Sequence, residues 1–251
     1  MRAPDLPDTP PPPAARARLL SGWGRYEPRD CRLAEPADEA ELAGLLSGGG
    51  ALIARGAGRA YGDAAVNEEL TVSMRRFDRM LALDAERGSL AAEAGVPLGD
   101  IVRAMLPRGW FPMVTPGTQF ATLGGLIAAD VHGKNHHHVG SFSACVRWID
   151  LMGPDGGVTR VSRESDPELF AATCGGMGLT GVILRAEIVL APVESAWIEE
   201  RIVATRGLEE TMEAFEAGDA WPYSVAWIDC LAGGPRRGRG LLHLGRHAPR
   251  G

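Results

Sequence analysis

The chain has 251 residues and a formal net charge of −6, with 45% hydrophobic and 23% charged residues. This length suits one or two domains, and the apolar content can bury a large core, which excludes a wholly disordered chain. The acidic balance excludes a general nucleic-acid-binding protein, which needs a basic face. No apolar run approaches the roughly 20 residues of a membrane span, and residues 1–20 lack the apolar segment of a secretory signal. We therefore expect a cytoplasmic globular protein with no integral membrane segment and no nucleic-acid partner.

Hydrophobic patterning along the chain predicts short helices and strands between two irregular ends. Residues 1–20 contain a run of prolines and predict a disordered tail. We expect helices at 38–46, 98–106, 167–173 and 208–217, a helix or tight turn at 123–129, and strands at 51–54, 70–74, 80–83, 90–94, 146–152, 158–161, 182–190, 198–204 and 224–229. The last twenty residues are rich in glycine and arginine, which predicts a solvated end. This mixture favours an α+β fold over a doubly wound parallel sheet.

Four cysteines are scattered along the chain, at Cys31, Cys145, Cys174 and Cys230. Disulfide frameworks belong to small secreted chains, and zinc sites usually show closely spaced pairs. We therefore expect buried or half-buried thiols.

The first of three glycine-rich segments, residues 54–63, follows an apolar strand and reads ARGAGRAYGD. Its glycine spacing matches neither a dinucleotide-binding turn nor a P-loop. Small residues allow successive backbone N–H groups to turn inward and bind an anion, and Arg55 and Arg59 could add contacts to phosphate. A glycine-rich turn with solvated arginines explains the pattern equally well.

The second glycine-rich segment, residues 115–128, leads directly into a cluster of histidines. Its backbone donors are a second place where phosphates could bind. Histidines follow at positions 132, 136, 137 and 138, with Lys134 among them. A metal site, an exposed polar loop and a loop facing a cofactor or substrate are the three interpretations. Gly133 and Asn135 are poor helix residues and no carboxylate lies inside the cluster, so we expect no metal there.

The third glycine-rich segment, residues 176–181, matches the pattern G-x-G-x-x-G. A dinucleotide-binding turn needs a strand before this pattern and a helix after it. Here a predicted helix precedes it and a predicted strand follows. We therefore expect a helix-to-strand turn, which could also contact a flavin closely.

Taken in order, these segments resemble the FAD-linked oxidases of the vanillyl-alcohol oxidase superfamily, which share a PCMH-type FAD-binding domain. The resemblance covers about residues 21–229. It rests on residues 23–25 (WGR), 55–63 (RGAGRAYGD), 116–118 (PGT), 124–125 (GG), 132–136 (HGKNH), 140–142 (GSF), 175–181 (GGMGLTG) and 226–229 (AWID).

The resemblance implies an FAD-binding domain of two α+β subdomains at 21–192, followed by the start of a substrate domain at 193–251. It implies His132 and Lys134 as catalytic residues, and Tyr61, Lys134 and Trp227 as substrate contacts. The FAD contacts that it implies are Ile53, Ala54, Arg55, Gly56, Ala57, Gly58, Arg59, Ala60, Tyr61, Gly62, Asp63, Gly117, Thr122, Leu123, Gly124, Gly125, Ala129, Asp130, Val131, His132 and Ile183.

The activity implied is removal of hydride from an alcohol carbon of a sugar to FAD, with the 2'-hydroxyl of a polyprenylphosphoryl-ribose as the expected substrate. Two alternatives stay open: an aldonolactone-type oxidase, and a fragment that binds flavin or a partner without catalysis. A small or lipid-linked sugar is the expected partner, which suggests a peripheral encounter with a membrane. The resemblance also leaves room for a partner reductase.

Two departures from the superfamily pattern have consequences. Many relatives carry a histidine linked covalently to the flavin where this chain has Arg59. A guanidinium group cannot form that linkage, so we expect non-covalent FAD. Family members are also much longer, so we expect this chain to be a fragment, a truncated product or a short form. The missing part would carry the cysteine and lysine that the family places over the flavin.

Overall fold

The computed structural model describes residues 14–250. Its α-helices are α1 (Glu39–Ser47), α2 (Leu98–Met105), α3 (Leu123–Ala128), α4 (His136–Val139), α5 (Pro167–Thr173) and α6 (Leu208–Ala217). Its strands are β1 (Arg16–Leu20), β2 (Arg29–Ala34), β3 (Ile53–Arg55), β4 (Thr71–Ser73), β5 (Met80–Asp84), β6 (Ser89–Glu93), β7 (Trp110–Pro112), β8 (Val146–Met152), β9 (Val158–Ser162), β10 (Val182–Pro192), β11 (Ile198–Thr205), β12 (Tyr223–Ile228) and β13 (Gly240–His247).

These strands form three sheets, which confirms the α+β prediction. The first sheet has the order β1-β2-β4-β3, and β4 pairs in parallel with both β2 and β3. The second is antiparallel and has the order β5-β6-β10-β8-β9, with β7 also paired to β10. The third is antiparallel and has the order β11-β13-β12. We call residues 14–192 the first region and residues 193–250, which hold the third sheet, the second region.

Two hydrophobic clusters hold the first region together. The larger one packs α2 and α3 against the second sheet, with Ile101, Leu126 and Ile127 fully buried. The smaller one joins α1 to the first sheet through Leu42 and Val72 and also takes in Leu184 of β10. Burying each such side chain contributes about 1.5–3 kcal/mol. Because β10 contributes to both clusters, the loops between these elements have a rigid base.

Side-chain caps explain where two of the predicted helices begin. The carboxylate of Asp38 accepts a hydrogen bond from the Glu41 amide at 2.9 Å, and α1 begins at the next residue. Asp166 accepts from the Leu169 amide at 3.1 Å, with Pro167 as the first helical residue of α5. Both are N-caps, in which a side-chain oxygen satisfies a backbone donor that the helix leaves free.

The structure corrects both predicted chain ends. Arg16–Leu20 is strand β1, paired with β2, although most of its side chains are exposed. Residues 1–13 of the predicted tail lie outside the described residues. Gly240–His247 is the central strand of the third sheet, with Leu242 and Leu244 buried. In both segments backbone pairing outweighs an unfavourable composition. None of the helices within residues 14–250 combines the length and the apolar composition that a membrane span requires.

Candidate active site

The three glycine-rich segments meet around one cavity of about 380 Å³, which we call the first cavity. Gly58, Gly124 and Gly178 line it, one from each segment. Most of the other lining side chains are small or apolar. A cavity of this size suits a small-molecule ligand, and glycine lets a ligand approach the backbone closely.

The first two segments touch each other directly. A Cβ atom added to Gly56 would overlap the hydroxyl of Thr122, the residue before α3. One added to Gly124 would lie 2.8 Å from the Cβ of Ala94, because the Gly124 amide donates to the Ala94 carbonyl at 2.8 Å. The packing of the protein itself therefore requires glycine at both positions.

Arg55 shapes the first segment from inside. Its guanidinium donates to the backbone carbonyls of Ser21 at 2.8 Å and Ala65 at 3.0 Å. Gly58 has φ +69°, and a Cβ there would lie 2.5 Å from that guanidinium. Burial lowers the pKa of Arg55 below its usual value. The hydrogen bonds of Arg55 thus go to the protein's own loops, a use that the phosphate interpretation did not include.

The third segment is held against the end of α3. The amide of Gly175 donates to the Ile127 carbonyl at 3.0 Å, and that of Met177 donates to the Ala128 carbonyl at 2.8 Å. Helix α5 precedes the segment and β10 follows it. The predicted helix-to-strand order is confirmed.

Two aromatic rings hold Arg59 beside the first cavity. Its guanidinium carbon lies 5.0 Å from the centre of the Trp23 ring and 5.2 Å from that of Phe120. All three side chains are exposed. Tyr61 also lines the cavity and is 80% exposed.

A second cavity, of about 520 Å³, lies between the histidine cluster and the second region. His132, Lys134, His136 and His137 line one side, and residues of α6 and β12 line the other. Two backbone contacts hold these sides together. The Ser224 amide donates to the Lys134 carbonyl at 2.9 Å, and His138 Nε2 lies 2.8 Å from the Asp219 carbonyl.

Consecutive residues separate the two cavities, since Val131 lines the first and His132 the second. His132 pairs with Ser141 through a backbone bridge, and its ring lies 5.4 Å from that of His136. Because α4 begins only at His136, these two histidines do not share a helix face.

The structure brings together most of the predicted site residues. Those that line the first cavity are Ala54, Arg55, Gly56, Ala57, Gly58, Arg59, Ala60, Tyr61, Gly117, Thr122, Gly124, Gly125, Ala129, Val131 and Ile183. His132 and Lys134 line the second.

Six predicted residues line neither cavity: Ile53, Gly62, Asp63, Leu123, Asp130 and Trp227. Leu123 is fully buried in the core, and Trp227 is 77% exposed on β12. Asp130 accepts hydrogen bonds from the Ser141 hydroxyl at 2.6 Å and the Ser143 amide at 2.7 Å, which fixes the loop before His132. Asp63 pairs with Arg29 at 3.4 Å.

Sequence reasoning missed several lining residues, among them Met74, Ala94, Met177, Phe215 and Asp219. Met177 lies inside the third glycine-rich segment, and its φ of +52° is unusual for a residue with a side chain. The glycine pattern could have indicated Met177. Phe215 and Asp219 reach the second cavity only through tertiary folding.

Comparison with known proteins identifies the family. Residues 32–162, more than half of the chain, match the family model of the FAD binding domain. Over 242 residues the chain is 37% identical to decaprenylphosphoryl-beta-D-ribose oxidase of Mycolicibacterium smegmatis. The matched segment covers 93% of this chain and 52% of that protein.

More distant relatives also match. The chain is 27% identical over 235 residues to cytokinin dehydrogenase 2 of Oryza sativa subsp. japonica, covering 85% of this chain and 41% of that protein. It is 24% identical over 208 residues to D-arabinono-1,4-lactone oxidase of Eremothecium gossypii, covering 79% and 39%. The chain spans about half the length of these relatives, or less. It belongs to the FAD-binding domain family, and its cofactor is FAD.

Proposed function

We propose that the protein is an FAD-dependent oxidoreductase that oxidises an alcohol of a sugar, the 2'-hydroxyl of a polyprenylphosphoryl-ribose. The observation that carries this proposal is the junction of the two cavities. A cavity walled by backbone and small side chains adjoins one lined by three histidines and Lys134, and they are separated by a single step along the chain from Val131 to His132. The relative from Mycolicibacterium smegmatis, by its name an oxidase of decaprenylphosphoryl-ribose, supports the choice of substrate.

The first cavity suits FAD because its walls leave the backbone accessible. We propose that the loop 55–62 and the segment 116–125 hold the pyrophosphate and ribityl parts. The lack of side chains at Gly58 and Gly124 lets phosphate oxygens approach the backbone closely, although the Gly124 amide itself donates to the Ala94 carbonyl. Arg59 supplies positive charge nearby. When bound, FAD supplies a hydride acceptor.

His132 and Lys134 are the proposed catalytic residues of the second cavity. The proton of the substrate hydroxyl needs an acceptor within about 3 Å, and either side chain could take it. A second assignment divides the two roles: Lys134 neutralises the phosphate of the substrate, and His132 takes the proton. The hydrogen bond from the Ser224 amide to the Lys134 carbonyl holds the backbone of Lys134 in place for either role.

We also propose that FAD is bound without a covalent bond. Arg59 stands where many relatives carry the histidine that forms the linkage, and it is packed against Trp23 and Phe120. Denaturing the FAD-loaded protein with acid should release yellow cofactor into the supernatant. Colour that stays with the precipitated polypeptide would refute non-covalent binding.

The catalytic proposal is tested by flavin reduction without oxygen. The chain is loaded with FAD, and a short-chain polyprenylphosphoryl-ribose is added while the visible flavin band is followed. We expect bleaching, and we expect Lys134→Met or His132→Ala to slow it by about 10²–10⁴-fold, the usual contribution of a positioned acid or base. FAD affinity should stay within about twofold, because neither side chain lines the first cavity.

His243→Ala is the matched control. This imidazole pairs with Glu200 at 2.8 Å and lines neither cavity, so bleaching should be unchanged. Bleaching by an aldonolactone instead of the ribose substrate would favour the lactone oxidase alternative, to which the Eremothecium gossypii relative points. Tight FAD binding with no bleaching by either compound would favour a non-catalytic flavin-binding chain.

A further inference from the structure

We propose that His137, His138 and Asp219 form a binding site for a divalent transition metal, with Zn²⁺ as the ion that suits it best. One ligand atom from each side chain lies within 4.8 Å of the other two. Two of the ligands come from α4 in the first region, and the third follows α6 in the second region. The ion would therefore join the two sides of the second cavity, which both His137 and Asp219 line.

The ligand set indicates the type of metal. Imidazole nitrogens suit zinc, copper and nickel, whereas magnesium and calcium prefer an all-oxygen shell. Two histidines, one carboxylate and a water complete the tetrahedral shell that zinc adopts in proteins.

Only small movements are needed to form the site. Ligand atoms at about 2.0–2.2 Å from zinc lie about 3.3–3.6 Å from one another in a tetrahedral shell. The rings of His137 and His138 are already 4.2 Å apart between centres, and His138 Nε2 is 4.0 Å from the Asp219 carboxylate. Binding of the ion through this nitrogen replaces its 2.8 Å hydrogen bond with the Asp219 carbonyl. All three side chains are exposed, so rotation of their side-chain torsions can close the remaining distance without disturbing the core.

Other imidazoles of the cluster are less suited to this role. His132 and His136 face each other at 5.4 Å between ring centres, but neither belongs to a group of three possible ligands within residues 14–250. The acidic residue that the cluster lacks within its own sequence is supplied by the second region, more than 80 positions further along the chain.

The main test is a calorimetric titration of chelator-treated protein with ZnCl₂. We expect one equivalent to bind with micromolar affinity, and His138→Ala and Asp219→Asn each to weaken binding at least tenfold. His132→Ala and His243→Ala are the controls and should leave the affinity unchanged. No saturable binding by the wild type, or a loss caused by His132→Ala but not by His138→Ala, would overturn the proposal.

Two spectroscopic measurements separate the site from a nonspecific surface effect. Co²⁺ should give the visible absorption of a tetrahedral site in the wild type and not in Asp219→Asn. This variant keeps the backbone carbonyl that His138 contacts, so its melting temperature without metal should match that of the wild type. Zn²⁺ should slow hydrogen exchange of amides at both 136–140 and 216–224, since the ion joins these segments. Protection of one segment alone would overturn the claim that the ion joins the two sides of the second cavity. None of these measurements needs FAD or substrate, so their outcome is independent of the proposed oxidation.

Discussion

The two regions that line the second cavity differ in how completely their strands are buried. In the first region, strand β10 is buried along much of its length and lies between two layers of packed side chains. In the second, residues 198–202 of β11 are exposed, although Leu242 and Leu244 are buried in the neighbouring strand. The first cavity therefore rests on a rigid base, whereas one side of the second cavity belongs to a thin sheet. This predicts that cofactor binding tolerates changes in the second region and that substrate binding does not.

The ion pairs of the two regions also differ in burial, and breaking the buried one is expected to cause the largest loss of stability. Asp150 is 4% exposed and accepts hydrogen bonds from Arg160 at 2.7 and 2.9 Å and from Arg185 at 2.7 Å. Burial alone would raise the pKa of Asp150, but the two arginines outweigh it and hold the pKa below its usual value. Asp150→Asn should lower the free energy of unfolding by about 2–3 kcal/mol, because it leaves two guanidinium groups without their shared partner.

The measurement is urea denaturation, with Glu199→Gln in the second region as the comparison. Glu199 pairs with Arg246 at 2.9 Å, but both side chains are about half exposed. Exposed pairs of this kind contribute little, so we expect the stability of Glu199→Gln to equal that of the wild type within error. Equal losses in the two variants would contradict the difference in burial described above.

The next effect tests the contact between the two glycine-rich segments of the first cavity. Gly56→Ala would push a methyl group into the Thr122 hydroxyl. We expect a loss of about 2 kcal/mol from overpacking and a fall of at least tenfold in FAD affinity. FAD titration measures the affinity, and denaturation measures the free energy of unfolding. Gly233→Ala is the control because its Cβ would meet open space.

A second substitution makes this test specific. Thr122→Ala removes the hydroxyl that the new methyl group meets, so the double variant should recover part of the loss in a double-mutant cycle. Strictly additive losses would show that the two segments do not press on each other.

The sequence predicted the first cavity better than the second for a physical reason. The spacing of glycines reflects local backbone conformation, which the sequence shows directly. The segments around Gly58 and Gly124 do meet at the first cavity. The starts of α1 and α5 are local too: Asp38 and Asp166 cap them, and the predicted helices begin within one residue of the observed starts. The second cavity depends on α6 and β12 reaching the histidine cluster, and no local pattern carries that information.

The same reason explains two of the four strands that were missed, β1 and β13; the other two are β2 and β7. β1 has mostly exposed side chains, and β13 contains glycine and arginine among its leucines, so neither shows a clear alternation. Their pairing with distant strands decides their conformation, as tertiary context often does.

A smaller effect concerns the junction of the two regions and its response to acid. His247 of β13 packs against Phe111 of β7 at 4.9 Å and against Tyr223 at 5.8 Å between ring centres. Burial lowers the pKa of His247 below its usual 6.5. A lowered pKa means that the unfolded chain binds this proton more readily, so stability falls as pH drops below about 6.5.

His247→Phe keeps an aromatic ring at this position and removes the titration. We expect the melting temperature of the wild type to fall between pH 7.5 and 5.5 by a few degrees more than that of the variant. Asp150→Asn should not change this part of the profile, because carboxylates titrate at lower pH. Parallel profiles for the wild type and His247→Phe would show that protonation of His247 does not loosen the junction.

The smallest expected effect is at Trp227, where the resemblance and the geometry give different expectations. The resemblance makes Trp227 a substrate contact, but the side chain is 77% exposed and lines neither cavity. Trp227→Ala should change the free energy of unfolding by less than about 0.5 kcal/mol, as substitutions of exposed side chains usually do, and it should leave FAD affinity unchanged. The informative measurement is the substrate concentration that gives half-maximal flavin reduction. A large increase would mean that the substrate extends along the outer face of the third sheet and that the thin second region contributes binding energy. An unchanged value would confine recognition to the second cavity, where His132 and Lys134 face α6 and β12.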